Sequence, residues 1–194
     1  MPKFTIITPD YEFHVPRPGA RTGLQSLANQ TFKDFELIYV HDGIKNIPYE
    51  DEFGDLGLNP IVINTPERVN DWGHSSVDMA MWQASGEYFI RLNIDNILYP
   101  HALERIAQKI DETNSPIVIY TIKHYKYNGG SQPFTGLPPV WCQIDAMQFV
   151  ARKDLWQSVG YWYDKRDTSD GIIAERLCRE HPYVHIDEML GENF

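Results

Sequence analysis

The sequence predicts an α/β fold, a doubly wound and mostly parallel sheet flanked by helices. Short apolar runs rich in β-branched and aromatic residues, such as Phe4–Thr8, Phe35–Val40 and Ile117–Tyr120, alternate with stretches of helical periodicity. Several runs stop at polar turn residues, Pro9-Asp10, His41-Asp42-Gly43 and Asn93-Ile94-Asp95-Asn96, and not at two-residue hairpin turns. That pattern belongs to parallel strands joined by crossovers. The chain has 194 residues, with 42% hydrophobic and 13% aromatic content, which suits one core without covalent staples.

The first strand, Phe4–Thr8, is expected to end at Pro9-Asp10, before an irregular loop from Tyr11 to Ala20 that holds prolines and a glycine. A helix over about Arg21 to Asn29 places Leu24, Leu27 and Ala28 on one face. After the Phe35–Val40 strand, residues 44–60 read as loop, with a solvated acidic cluster at Glu50-Asp51-Glu52, and Pro60–Asn64 is a third strand. Asp71-Trp72-Gly73-His74 leads into a helix burying Val77, Ala80, Met81 and Ala84, with Gly86 expected at its left-handed C′ position. The next helix, about His101 to Asp111, turns Leu103, Ile106, Ala107 and Ile110 inward.

The last third is looser. Asn128–Ser131 reads as a turn, and Val140–Val150 as one or two strands around Gln143-Ile144-Asp145. A short helix spans Lys153 to Ser158, another spans Gly171 to Arg179 with Ser169-Asp170 at its start, and a final strand covers Tyr183 to Ile186. There are no repeats, low-complexity tracts or linkers. The chain reads as one domain over 1–194, with a ligand-binding half to about residue 100 and a second half from about 101.

The stretch Gly86–Pro100 carries the most chemistry. Tyr88-Phe89-Ile90-Arg91-Leu92 is a buried strand that breaks into Asn93-Ile94-Asp95-Asn96, delivering a carboxylate and amides to a sheet edge. In open α/β sheets ligands bind at the carboxyl edge. One carboxylate with amides suits a hard divalent cation that takes its remaining ligands from water and phosphates. The same residues equally suit a strand-to-helix turn in which Asp95 or Asn96 satisfies backbone groups.

The net charge of −10 argues against nucleic acid or an anionic membrane as partner. Cys142 and Cys178 lie far apart and read as reduced thiols. With no long apolar run and no basic-then-apolar leader, the sequence reads as a soluble cytoplasmic protein without a membrane span. No glycine-rich G-x-G-x-x-G follows the first strand, and no G-x-x-x-x-G-K-[ST] or G-x-S-x-G is present.

Four segments in order resemble family 2 glycosyltransferases of the GT-A fold. Ile6-Ile7-Thr8-Pro9 followed by Gly23–Phe32 resembles that family's first strand and helix. Phe35–Gly43 resembles its second strand, whose terminal Asp holds the nucleotide base. Ala84-Ser85-Gly86-Glu87-Tyr88 running into Asn93-Ile94-Asp95 resembles the lead-in and the metal-binding D-x-D. Gly160–Asp164, then Ser169-Asp170 and Glu175-Arg176-Leu177, resemble the G-G-F-D, E-D and R-L pattern around the catalytic base. The chain departs from the pattern at Asn93, at Ser169, and at Ser75-Ser76-Val77-Asp78, which replaces the usual A-R-N helix opening.

The resemblance implies a GT-A-type, Rossmann-like sheet and inverting transfer of a sugar from a nucleotide sugar, a UDP-sugar, onto a glycan or glycoprotein hydroxyl. It implies Mn²⁺ or Mg²⁺ held by Asp95, with Asn93 nearby through water, and Asp170 as base, with Asp164 and Asp167 as alternatives. Asp42 is expected to accept the uracil N3–H, with Gly43 beside it, in a cleft shaped by Thr8, Pro9 and Tyr11 and with Trp72 on the ribose or phosphate side. Trp141, Asp145 and Trp162 are the candidates to meet the sugar or acceptor, and Trp156 is a further aromatic able to stack. His185 reads as structural. A non-catalytic sugar-binding module would fit the Asn93 and Ser169 departures. A sugar nucleotidyltransferase would need a stronger basic loop than Arg17, Gly19 and Arg21 provide.

Overall fold

The computed structural model of the chain describes residues 1–11, 20–44, 54–125, 129–162, 165–166 and 169–194. Among them the strands are β1 (Phe4–Asp10), β2 (Phe35–His41), β3 (Ile61–Asn64), β4 (Tyr88–Arg91), β5 (Ile97–Leu98), β6 (Ile117–Tyr125), β7 (Ser131–Phe134), β8 (Phe149–Arg152) and β9 (Val184–Asn193). The helices are α1 (Ala20–Ala28), α2 (His74–Gln83), α3 (Ala102–Thr113), α4 (Lys153–Ser158) and α5 (Ser169–Glu180). Asp164, Asp167, Arg17, Gly19 and the Glu50–Glu52 cluster lie outside the described residues.

One sheet runs in the order β3-β2-β1-β4-β8-β6-β9-β5, with β7 paired to β6. β3, β2, β1 and β4 are mutually parallel, as the polar strand ends predict. Beyond β4 the sheet is mixed: β8 is antiparallel to β4 and β6, β9 is parallel to β6, and β5 is antiparallel to β9. The α/β class is therefore as expected, and its antiparallel members β5, β7 and β8 all follow β4 in the chain.

Alternation along the central strands divides the core into two layers. Phe4, Ile6, Tyr39 and Ile90 pack with Leu24 and Leu27 of α1 and with Leu103, Ile106 and Ile110 of α3. Ile7, Ile38 and Phe89 face the other way, onto Val77 and Met81 of α2 and Ile173 and Leu177 of α5. Each such aliphatic side chain contributes roughly 1.5–3 kcal/mol by leaving water. The predicted inward faces of α2 and α3 are the buried ones.

Four local expectations need correction. β1 does not stop at Thr8; it continues through Pro9 and Asp10 along β2. Pairing with β4 ends at Ile7, so Pro9 lies where the strand has one neighbour and its missing N–H costs no ladder bond. Gly86 is not the C′ residue of α2, whose C-cap is Ala84. It is a glycine because an added Cβ would lie 2.5 Å from the Thr5 backbone nitrogen, where strands β1 and β4 approach. Gln143–Asp145 forms no strand: Asp145 caps a 3₁₀ turn at Ala146–Gln148 through a reciprocal capping box. Finally, the last strand is longer than Tyr183–Ile186 and reaches Asn193.

α1 is set against the turn that follows β4. A Cβ on Gly23 would stand 2.0 Å from the Ile94 carbonyl oxygen and 2.8 Å from that of Asn96. Gly23→Ala must therefore push helix and turn apart. We expect it to destabilise the protein by about 1–3 kcal/mol, the usual cost of overpacking, read as a lower midpoint in urea unfolding. A midpoint equal to the parent's would show that the helix can slide freely.

Candidate active site

The carboxyl ends of β1, β2 and β4 open on a cleft of about 210 Å³. Of the residues expected to bind a nucleotide, Pro9, Tyr11, Asp42, Trp72, Asn93 and Asp95 all line it. They come from three strand ends and one loop, so a single sheet edge gathers residues that are distant along the chain. Thr8 and Gly43 do not line it. Thr8 is 1% exposed. Gly43 has φ 107° and gives its N–H to Thr65 Oγ1, turning the chain behind the cleft.

Asp42 builds one wall. Its Oδ1 accepts from the Val69 N–H at 2.9 Å and from Thr65 Oγ1 at 3.2 Å, and its Oδ2 accepts from the Asn70 N–H at 3.0 Å. These bonds fasten a loop that contains left-handed backbone at Asn70, Trp72 and Gly73, with φ of 60°, 61° and 77°. Bulky residues avoid that region, so the loop needs such anchors. Asp42 retains acceptor capacity toward the cleft, because a carboxylate offers about four lone-pair sites. Trp72, presented by the anchored loop, is 72% exposed.

Arg91, the last residue of β4, is 7% exposed and joins this wall to the rest of the site. Its Nη2 donates to the Trp72 carbonyl at 2.7 Å, its Nε to Asn93 Oδ1 at 3.2 Å, and its Nη1 to His74 Nδ1 at 2.9 Å. The guanidinium also lies 4.9 Å from the Trp162 ring centre and 3.8 Å from Asp170 Oδ1. Burial, reinforced by the Arg91 charge, pulls the His74 pKa down to about 4. The ring is thus neutral, with Nδ1 as acceptor, and its Nε2 faces Ser169 Oγ at 3.1 Å.

Asp170 opens α5, where a carboxylate is favoured by the helix dipole. Burial raises its pKa to about 6, with Arg91 opposing, the Asp145 charge adding to the rise and the Ala146 N–H opposing. The side chain keeps 26% of its surface open to solvent, although Oδ1 itself is sealed. Asp145 is pushed up as well, by burial first and also by the charge of Asp95, against the Met147 N–H and Arg91. Asn193 Nδ2 donates to Asp145 Oδ2 at 2.9 Å, so the last strand supports this carboxylate. Asp145 thus feels the charge of Asp95, and Asp170 that of Asp145, with Arg91 acting on both Asp145 and Asp170.

The aromatic candidates divide. Trp162 is 2% exposed and stacked between His74 and Trp156, at 5.5 and 5.4 Å. It cannot offer a face to a sugar, and its Nε1 is spent on Ser169 Oγ at 2.8 Å. Trp156, also 2% exposed, is likewise core. Trp141 is 58% exposed, and its backbone passes close over Gly171, next to Asp170. His185 Nε2 lies 3.1 Å from the Thr135 carbonyl, a structural contact. Sequence reasoning passed over Arg91, His74 and Asn193. The available signal was a charge at Arg91 inside an apolar strand run, which is rare unless paired.

The residues suit a cation in an open site. Among the described residues no group of three or more His, Cys, Asp or Glu is arranged to hold a metal. Asp95, with the Asn93 amide beside it in the cleft, instead matches a hard cation that draws most ligands from phosphate and water.

The architecture is that of an α/β protein with a cleft at the carboxyl edge of the parallel half of its sheet. Its sequence carries the family: the chain belongs to glycosyl transferase family 2, whose profile matches residues 15–167. Solved structures share the fold. TarS of S. aureus, in complex with UDP-GlcNAc, superposes with TM-score 0.79 at 19% identity, covering 98% of this chain and 58% of that one. A longer TarS structure gives 0.78 at 18% identity, covering 98% of this chain and 36% of that one. The mannosyltransferase PcManGT of Pyrobaculum calidifontis, in complex with GDP-Man and Mn²⁺, gives 0.72 at 13% identity, with 99% and 56% covered. The chain therefore spans between about a third and three fifths of the solved chains it matches. Among the described residues no helix is long and apolar enough to cross a membrane.

Proposed function

We propose that the chain is a metal-dependent, inverting glycosyltransferase that moves a sugar from a UDP-sugar to a hydroxyl of a glycan or glycoprotein. The observation that carries this reading is the shared cleft of Asp42, Trp72, Asn93 and Asp95, linked through Arg91 and Asp145 to Asp170. Asp42 and Trp72 bind the base and ribose, and Asp95 with Asn93 holds the diphosphate side through Mn²⁺ or Mg²⁺. When bound, that cation offsets negative charge on the departing diphosphate. Asp170 takes the proton of the acceptor hydroxyl as its oxygen attacks the anomeric carbon, and the nucleoside diphosphate leaves from the opposite face. Trp141 and Asp145 border the acceptor side. Residues to about 100 serve the donor and those beyond about 101 the acceptor.

Ser169 in place of an acidic residue does not argue for a binding-only module. The side chain is fully buried, its Oγ held between Trp162 Nε1 at 2.8 Å and neutral His74 Nε2 at 3.1 Å, so it serves the packing beside Asp170 and leaves that carboxylate in place. The test is a screen of UDP-glucose, UDP-galactose and UDP-N-acetylglucosamine with Mn²⁺, following UDP release. At least one is expected to be hydrolysed slowly without acceptor. Absence of any UDP binding by calorimetry, together with no hydrolysis, would defeat the proposal.

A further inference from the structure

We propose that Arg91 is a positioning residue that holds the Trp72 loop and the helix bearing Asp170 at a fixed spacing across the cleft. The inference rests on the glycosyltransferase reading above. The planar guanidinium has two arms. The donor arm consists of Nη2 on the Trp72 carbonyl at 2.7 Å and Nε on Asn93 Oδ1 at 3.2 Å. The base arm runs from Nη1 to His74 Nδ1 at 2.9 Å, and from His74 Nε2 to Ser169 Oγ at 3.1 Å, one residue before Asp170.

A counter-ion whose task was to neutralise Asp170 would sit against it in bidentate contact. Arg91 stands 3.8 Å away and spends its short hydrogen bonds on the loop, on Asn93 and on His74. The Trp162 ring centre lies 4.9 Å from the guanidinium and its Nε1 also donates to Ser169 Oγ at 2.8 Å, so the base arm is held from two directions. Lysine would keep the charge and lose the fork, which makes the exchange informative at this site.

The geometry matters because a misplacement of about 1 Å between reacting groups can cost about a hundredfold in rate. Arg91→Lys is expected to weaken binding of UDP with Mn²⁺ and to lower turnover of the UDP-sugars above at least tenfold. His74→Ala interrupts the base arm alone. It is expected to lower turnover about tenfold while leaving UDP affinity and the donor KM within about twofold. Hydrogen exchange supplies a readout free of substrate: in Arg91→Lys the amides of residues 69–75 and 169–172 should exchange faster together.

Unchanged exchange in both segments, or turnover within twofold of the parent in either folded variant, overturns the inference. If Arg91→Lys does not fold, the kinetic split in His74→Ala decides. If the parent binds no UDP and releases none, the glycosyltransferase reading fails, and the exchange measurement still decides the role of Arg91.

Discussion

Asp170→Asn is expected to lower transfer by roughly 10²–10⁴-fold, the usual contribution of a positioned base, while UDP with Mn²⁺ binds within about twofold of the parent. The side chains lining the cleft come from strand ends and the Trp72 loop, and Asp170 is not among them. Removing its charge therefore leaves the donor contacts in place. The pH profile offers an independent check. A carboxyl raised from 3.8 to about 6 by burial binds its proton more tightly in the folded chain than in the unfolded one. It subtracts stability as pH rises through that window, and nothing is lost below it. Turnover in the parent should fall as pH drops through about 6, because the base becomes protonated. The asparagine variant should melt no lower than the parent at neutral pH. Full activity in the variant would remove Asp170 from the mechanism.

Asp95→Ala should abolish the rise in melting temperature that UDP with Mn²⁺ gives the parent. Binding at a hundred times Kd stabilises a protein by about 2.7 kcal/mol, a shift of several degrees. The effect should be nearly complete because Asp95 is the carboxylate that the turn after β4 brings to the cleft, and Asn93 Oδ1 beside it already accepts from Arg91 Nε. UDP without metal should stabilise parent and variant equally and weakly. A variant that keeps the full metal-dependent shift would place the cation elsewhere. The charge of Asp95 also raises the Asp145 carboxyl, so the variant should leave Asp145 more readily ionised.

Much of the cleft at the sheet edge was legible because its signals are local. Strand runs that end in His41-Asp42 or Asn93-Ile94-Asp95 report a sheet edge, and a parallel sheet brings such edges together without long-range information. The surroundings of Asp170 depend on packing that a sequence does not display. Trp141 and Trp162 look alike in one dimension, yet one is 58% exposed and the other is closed in by His74 and Trp156. The final strand was underestimated because it is polar along most of its length. Only Ile186, Leu190 and Gly191 are buried, and Glu188 and Glu192 are bonded to Arg105 and Tyr99. Arg91 shows a third kind of difficulty. Its charge inside an apolar run marks a paired site, but its partners lie in two distant segments, Trp72 and His74 in one and Asp170 in the other.

β9 runs between β6 and β5, and its Asn193 reaches the Asp145 carboxylate. During synthesis β1 to β4 can pair as they emerge from the ribosome, but the bond that supports Asp145 must wait until β9 has cleared the exit tunnel. Until then β6 and β5 present open edges to other nascent chains, and β9 is the strand that covers both.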